Sequence, residues 1–201
     1  MNIELQTFLR TRRSIRRFKT DPVPDSVLRD IIHTATFAPS AHHRQPWRFA
    51  VITTQTEKEK LAQAMANDFR HDLEQDHLES TVIEKLVHRS LDRINNAPAV
   101  IMLCMDMSEM NQYPDKHRQQ AEYLTAVQST SNAGMQLLLA AHAEGLGGVW
   151  VCSPIFAQET VQKTLNISKT WEPQAMFLIG YPVEIPSVRE RKPLEEIVRF
   201  Q

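Results

Sequence analysis

Between Pro98 and Asp106 the chain runs Ala-Val-Ile-Met-Leu-Cys-Met without one polar residue. A continuous apolar run of this length, closed at both ends by breakers, predicts a central strand rather than a half-exposed one. The rest of the chain is arranged around it. At 48–53, Phe49, Val51 and Thr53 alternate with Arg48, Ala50 and Ile52, predicting a short strand, and 149–152 and 175–180 supply two further strand candidates.

Helical spacing is found on either side of these strands. Ile3, Leu5, Phe8 and Leu9 predict a first helix. Val27, Leu28, Ile31, Ile32 and Ala35 give a second over 24–37, with Pro24 suited to its first position and Pro39 beyond its end. A polar helical stretch rich in Glu, His and Lys fills 56–93. The strongest helical pattern is 119–144, where Leu124, Val127, Met135, Leu138 and Leu139 recur at threes and fours. Its small residues Ala126, Ser129, Ser131, Ala133 and Gly134 would admit close helix packing. A helix near 155–165 separates the last two strands, and 106–120 reads as a loop or lid. No repeat, low-complexity segment or linker interrupts the chain, so one domain over 1–201 of the α+β (mixed α/β) class is expected.

The net charge is −1, from 23 Lys and Arg against 24 Asp and Glu, so no field over the whole chain favours nucleic acid or an anionic membrane. Any anion site must be local. The most apolar stretch, 133–152, is broken by Gln136, His142, Glu144 and glycines, which disfavours a membrane span. Glu4 and the lack of an apolar segment at the start argue against a secretory signal. Cys104 and Cys152 fit neither a disulfide framework nor a CxxC pattern, and a reducing cytoplasm is expected.

Six cations, Arg10, Arg12, Arg13, Arg16, Arg17 and Lys19, fall within ten residues of this nearly neutral chain. They are either a solvated face or a local anion site. Guanidinium forks match phosphate oxygens, and Ser14 adds a hydroxyl, so a phosphate ester is a sensible ligand. The polar loop 38–47 carries His42 and His43, but adjacent histidines rarely converge on one metal and no second ligand cluster has fitting spacing. No metal is expected. Trp47 reads as core, Gly147 and Gly148 as permissive turn residues. Cys152 has no Lys, Arg or His beside it to activate a thiol.

Several of these segments together resemble the FMN-dependent nitroreductase superfamily. The likeness is carried by Arg12-Arg13-Ser14-Ile15-Arg16-Arg17-Phe18, Pro39-Ser40, Gln45-Pro46-Trp47, Asn96-Ala97-Pro98-Ala99-Val100, Gly145-Leu146-Gly147-Gly148-Val149-Trp150, Ile179-Gly180-Tyr181-Pro182 and Arg191-Lys192-Pro193-Leu194-Glu195-Glu196, in family order. The resemblance implies a central, mainly antiparallel sheet flanked by helices and an intertwined homodimer. It implies that Arg12, Arg13, Ser14 and Arg16 hold the flavin phosphate and ribityl chain, with Arg189 and Arg191 adding charge there. It implies that Ser40, Ala41 and His43 reach the flavin across the dimer interface. His43 departs from the family's frequent Asn, and this loop is also similar to the flavin-binding module of deazaflavin-coenzyme glutamate ligases.

The same likeness places Trp150, Val151, Cys152 and Ser153 along the reactive edge of the ring system. The function it implies is ping-pong transfer of hydride from NADH or NADPH through FMN to a nitroaromatic, quinone or similar small-molecule acceptor. Arg16 is then the candidate to stabilise reduced flavin, and Tyr113 and His117 of the lid are candidates for the substrate pocket. A specialised biosynthetic flavin enzyme, in deazaflavin-coenzyme maturation or flavin breakdown, and a non-catalytic flavin-binding protein remain as alternatives.

Overall fold

Burial on both faces is what strand β2 (Ala99–Asp106) displays in the computed structural model, which describes residues 3–201. Every residue of β2 is buried. It pairs with β1 (Trp47–Ile52) on one side and with β4 (Trp171–Gly180) on the other. Strand β3 (Gly147–Val151) closes the sheet against β4, giving the order β1-β2-β4-β3 with every pairing antiparallel.

Alternate residues of β2 enter two different cores. Ala99, Ile101 and Leu103 pack with α2 (Asp25–Ala35) and α5 (Lys116–Ala143) through Leu28, Ile31, Ala133 and Leu137. Val100, Met102 and Cys104 pack on the other face with Leu61 and Met65 of α3 (Gln55–Gln75) and Val161 of α6 (Gln158–Leu165). The result is a helix, sheet, helix sandwich, as the α+β reading requires.

Several expected boundaries shift for identifiable reasons. The polar stretch 56–93 is two helices, α3 and α4 (Ser80–Asn95), folded into a hairpin at Asp76, His77 and Leu78, where His77 takes a φ of 56°. Ala66, Leu73, Ile83 and Val87 are buried between them. Strand β4 begins well before the expected 175, because Pro173 sits at an irregularity where the register between Leu103 and Cys104 shifts. The supposed lid 106–120 is shorter: Asp106 belongs to β2, Met107–Glu109 form a 3₁₀ turn, and α5 begins at Lys116 behind an Asp115 cap.

The buried face of α5 also differs from the expected stripe. Leu124 and Met135 are exposed, whereas Ala126, Ala133, Leu137 and Ala141 face the sheet. Small residues let the helix lie close to the strands of its own chain. A Cβ on Gly134 would come within 2.9 Å of the Phe177 ring and would also strike Trp150.

Both ends of the described chain leave apolar side chains uncovered. No residue of α1 (Ile3–Thr11) is buried, with Ile3 76% exposed. After β4 the tail runs exposed through Ile185 and Val188 and the short α7 (Leu194–Ile197) to Phe200, which is 88% exposed. Among the described residues no helix is long and apolar enough to cross a membrane.

At the far end of β2 a buried carboxylate ties three elements together. Asp106 accepts from Ser108 N at 3.1 Å, Ser108 Oγ at 2.7 Å and Thr170 Oγ1 at 3.3 Å, with Arg48 Nη2 at 3.7 Å. Burial alone would raise its pKa, but the Ser108 bonds, the Arg48 charge and the Thr170 hydroxyl together hold it below the ordinary 3.8. A folded pKa below the unfolded one means stability that is complete above the unfolded value and lost as pH falls through the folded one. Asp106→Asn is therefore expected to cost about 1–3 kcal/mol at neutral pH. Urea unfolding across a pH series should show that difference shrinking below about pH 4.

Candidate cofactor site

The basic run leaves α1 and is laid against the sheet. Ser14 forms a parallel bridge to Gly148, Ile15 N donates to Gly148 O at 3.0 Å, and Lys19 N donates to Tyr181 O at 2.8 Å. Pinned this way, Arg12, Arg13 and Ser14 are half-buried. Arg13 turns back, donating to the carbonyls of Arg10 at 2.6 Å and Arg12 at 2.9 Å. The Arg12 guanidinium is pulled below its usual pKa by burial first, then by the charges of Arg13 and Arg191. The tail thus brings the charge of Arg191 close to Arg12. Arg189 is exposed on that tail, and among the described residues no hydrogen bond or ion pair ties it to the cluster. Among the described residues none of Arg12, Arg13 and Arg191 has a carboxylate partner within ion-pair distance, so like charges gather without a counter-charge.

His142 joins this cluster and was not legible in the sequence. Its ring stacks on Phe8 at 5.0 Å and its Nε2 lies 3.1 Å from Thr11 Oγ1. Burial, followed by Arg12 and Arg13, lowers its pKa, which favours the neutral ring. Gly147 and Gly148 are not turn residues. The glycine with positive φ is Gly145, at +72°, whereas Gly147 and Gly148 lie in β3, and a Cβ on Gly147 would stand 2.7 Å from Ile15 Cβ and Cγ1. Their role is close approach of the arginine segment to the strand.

A cavity of about 570 Å³ opens between the α3–α4 hairpin and the end of β3, lined by Phe69, Val151, Phe156, Met176 and Leu178 together with Ser153, the basic Arg89 and Arg93 and the acidic Asp68, Asp72 and Asp76. Apolar walls with a few polar groups suit a flat ring system. Of the expected contact stretch, Val151 and Ser153 line this space. Trp150 turns inward, edge-on to Phe177 at 5.1 Å, and serves the core. Cys152 is exposed. Pro154 has no N–H and Ile155 N donates to Cys152 O at 3.1 Å, so a backbone donor from this segment has to lie before Pro154. Burial pushes the Cys104 thiol up to about 12, which leaves it inert at neutral pH.

The loop 38–47 is strained and firmly held. His42, His43 and Gln45 all take φ values of 49–56°, a region that costs non-glycine residues about 1–2 kcal/mol each. Ser40 Oγ accepts Gln45 N at 3.1 Å, Ser129 Oγ accepts Ala41 N at 3.0 Å, and the His43 and Gln45 side chains meet at 2.9 Å. Trp47, at the end of this loop, is core as expected.

The loop enters the sheet at Trp47 opposite Met105, while Ser14 rests on Gly148 at the end that holds Ile179 and Ala99. The two segments thus stand at opposite ends of β2, roughly 20 Å apart along the strand. One chain does not bring them together. Nor do Tyr113 and His117 reach the cavity: Tyr113 lies 5.1 Å under Arg118, and His117 is exposed on the first turn of α5.

Comparison with known proteins bears on this arrangement. The profile of the Nitroreductase family matches residues 9–181. A Bacillus subtilis protein that carries the name NAD(P)H nitroreductase YfhC is 27% identical over 96% of this chain and 91% of its own length. An NADH dehydrogenase of Thermus thermophilus is 28% identical, covering 99% of this chain and 97% of the relative. Among solved structures, a nitroreductase from Desulfovibrio desulfuricans in complex with FMN superposes with a TM-score of 0.75 at 26% identity, over 100% of this chain and 98% of that one.

Proposed function

This chain belongs to the nitroreductase family, and from that premise we propose that it is an FMN-dependent oxidoreductase that takes hydride from NADH or NADPH. The observation that carries this reading is the Arg12, Arg13 and Arg191 cluster beside Ser14, which among the described residues has no carboxylate within ion-pair distance. A phosphomonoester is the ligand that would relieve it. The apolar cavity beyond, with Val151 and Ser153 on its wall, has the size and lining for a flavin ring.

When bound, the flavin would supply a two-electron relay between a reduced nicotinamide and an acceptor, in the ping-pong order expected of two ligands using one site. The protein's part is to hold and tune. Arg16, in the cleft that adjoins the cavity at Arg93, is the cation that would favour a reduced, negatively charged ring, whereas Arg89 and Arg93 share the cavity lining with Asp68, Asp72 and Asp76. Nitroaromatics and quinones suit an apolar, open cleft. Cys152 has no assigned role in the chemistry.

A homodimer follows from the same reading. The uncovered apolar residues of α1 and the tail need a partner, and the Ser40 to His43 loop can meet an Arg12 cluster only if the two come from different subunits. We read residues 1–201 as one domain per subunit, in a reducing cytoplasm where Cys104 and Cys152 stay as thiols. His43, held in a left-handed conformation against Gln45, is the feature that favours the specialised biosynthetic alternative.

The test is direct. Purified protein should show the absorption bands of oxidised flavin and should oxidise NADH or NADPH with menadione or a nitrofuran as acceptor. A yellow protein that turns over neither nucleotide would leave the biosynthetic or non-catalytic reading in place, and a colourless one that refuses FMN would end all three.

A further inference from the structure

Resting on the flavin reading above, we propose that His142 is a positioning residue of the phosphate site that takes up a proton when the flavin phosphate is bound, so that this chain's hold on FMN depends on pH. The residue stands in the last turn of α5, remote in sequence from the arginine segment it meets.

Two helix ends converge on this ring. Helix α1 stops at Thr11 and α5 at Ala143, and the carbonyl end of a helix favours a cation. The ring stacks on Phe8 at 5.0 Å with the planes 22° apart, and its Nε2 lies 3.1 Å from Thr11 Oγ1. Thr11 Oγ1 donates its one proton to Phe8 O at 2.9 Å, so toward His142 it can only accept. Nε2 therefore carries a hydrogen in the neutral ring, and Nδ1 is the atom that protonates. Thr11 is joined directly to Arg12, so the bond that fixes the tautomer also anchors the start of the phosphate segment.

Opposing influences meet at the imidazole. Burial first, then the charges of Arg12 and Arg13, oppose its protonation, while a bond to the Phe8 carbonyl favours it. Arg191 reaches the cluster from the tail and acts on Arg12. The remaining charged groups of the two helices nearby, Glu4 and Arg10 on α1 and Glu144 just after α5, are exposed. Among the described residues the histidine with a carboxylate at ion-pair distance is His88, not His142. A phosphomonoester seated on Arg12 and Arg13 would offset the two charges that keep the proton off. Its oxygens and the two helix ends would then attract that proton together. The ring is thus neutral in the chain alone and an imidazolium beside bound FMN, where it adds a charge to those of the arginines.

A ring more basic with FMN bound than without it strengthens binding as pH falls through its value in the complex. The gain is complete below its value in the chain alone, which lies under 6.5. Holoprotein diluted at about pH 8 and at about pH 5.5, with released FMN read by its fluorescence, gives the two dissociation constants. The second ionisation of a phosphomonoester, near about pH 6, affects parent and variant alike and cancels in their ratio. His142→Gln should match the parent at about pH 8 and hold FMN about five- to tenfold more weakly at about pH 5.5. Should the glutamine disturb folding, His142→Phe keeps a ring against Phe8 and carries no titrating group, with the same loss expected in acid.

A ratio of dissociation constants that is flat with pH, whatever its size, or that falls toward acid makes His142 a packing residue and overturns the inference. A chain that holds no FMN at either pH ends the flavin reading and takes this inference with it, whereas a yellow protein with a flat ratio ends the inference alone.

Discussion

Replacing both Arg12 and Ser14 with Ala is expected to raise the Kd for FMN about a hundredfold or more, since each charged or hydroxyl contact to a phosphate contributes about 1.5–3 kcal/mol. The apo protein should behave oppositely. Arg12 is held near Arg13 and Arg191 with no ion-pair partner among the described residues, so its removal relieves repulsion and the apo melting temperature should hold or rise. Holoprotein stability, in contrast, should fall, because ligand-linked stabilisation shrinks as Kd grows. Fluorescence titration of FMN and melting curves with and without flavin measure the two signs separately. A variant that keeps its yellow colour through gel filtration would show that the phosphate is held elsewhere; one whose apo form melts much earlier would show that the arginine is a structural member.

How far the sequence leads depends on whether one segment contains the whole signal. Strand β2 was legible because seven apolar residues between Pro98 and Asp106 have no competing reading, and α2 because its apolar face repeats within one helix. The buried face of α5 was not, because its packing depends on alanine and glycine, whose value lies in how closely they let a strand approach rather than in their hydrophobicity. The start of β4 hid behind Pro173, which only the irregular register opposite Cys104 accommodates. In the site, the arginine run and Ser14 were adjacent and visible. His142, Arg89 and Arg93 were not, since they reach the site from helices that carry no motif there and only the folded chain sets them beside the arginines.

That dependence on approach distance predicts the effect of the smallest side-chain addition in this region. Gly147→Ala is expected to weaken FMN binding although residue 147 carries no side chain toward any ligand. The new Cβ would stand 2.7 Å from Ile15 Cβ and Cγ1, which are close to the backbone and cannot swing aside. Ile15 is 5% exposed and its N–H bonds Gly148 O at 3.0 Å, so the strain must be relieved by lifting the segment that holds Ser14 and Arg12 off β3. Overpacking of this kind costs about 1–3 kcal/mol. Part of it should be felt as lost stability and part as misplaced phosphate donors, so the Kd for FMN should rise at least about tenfold, roughly 1.4 kcal/mol. Circular dichroism should stay close to the parent's, because the contacts of β4 with β2 are untouched. Gly145→Ala makes the contrast: its φ of +72° makes the change unfavourable to the fold, yet nothing lies within 4 Å of the added Cβ, so stability should drop while flavin affinity holds. If both variants lose flavin equally for equal losses of stability, the arginine segment is not positioned by its fit against Gly147, and the close approach of Ile15 to β3 is a matter of packing alone.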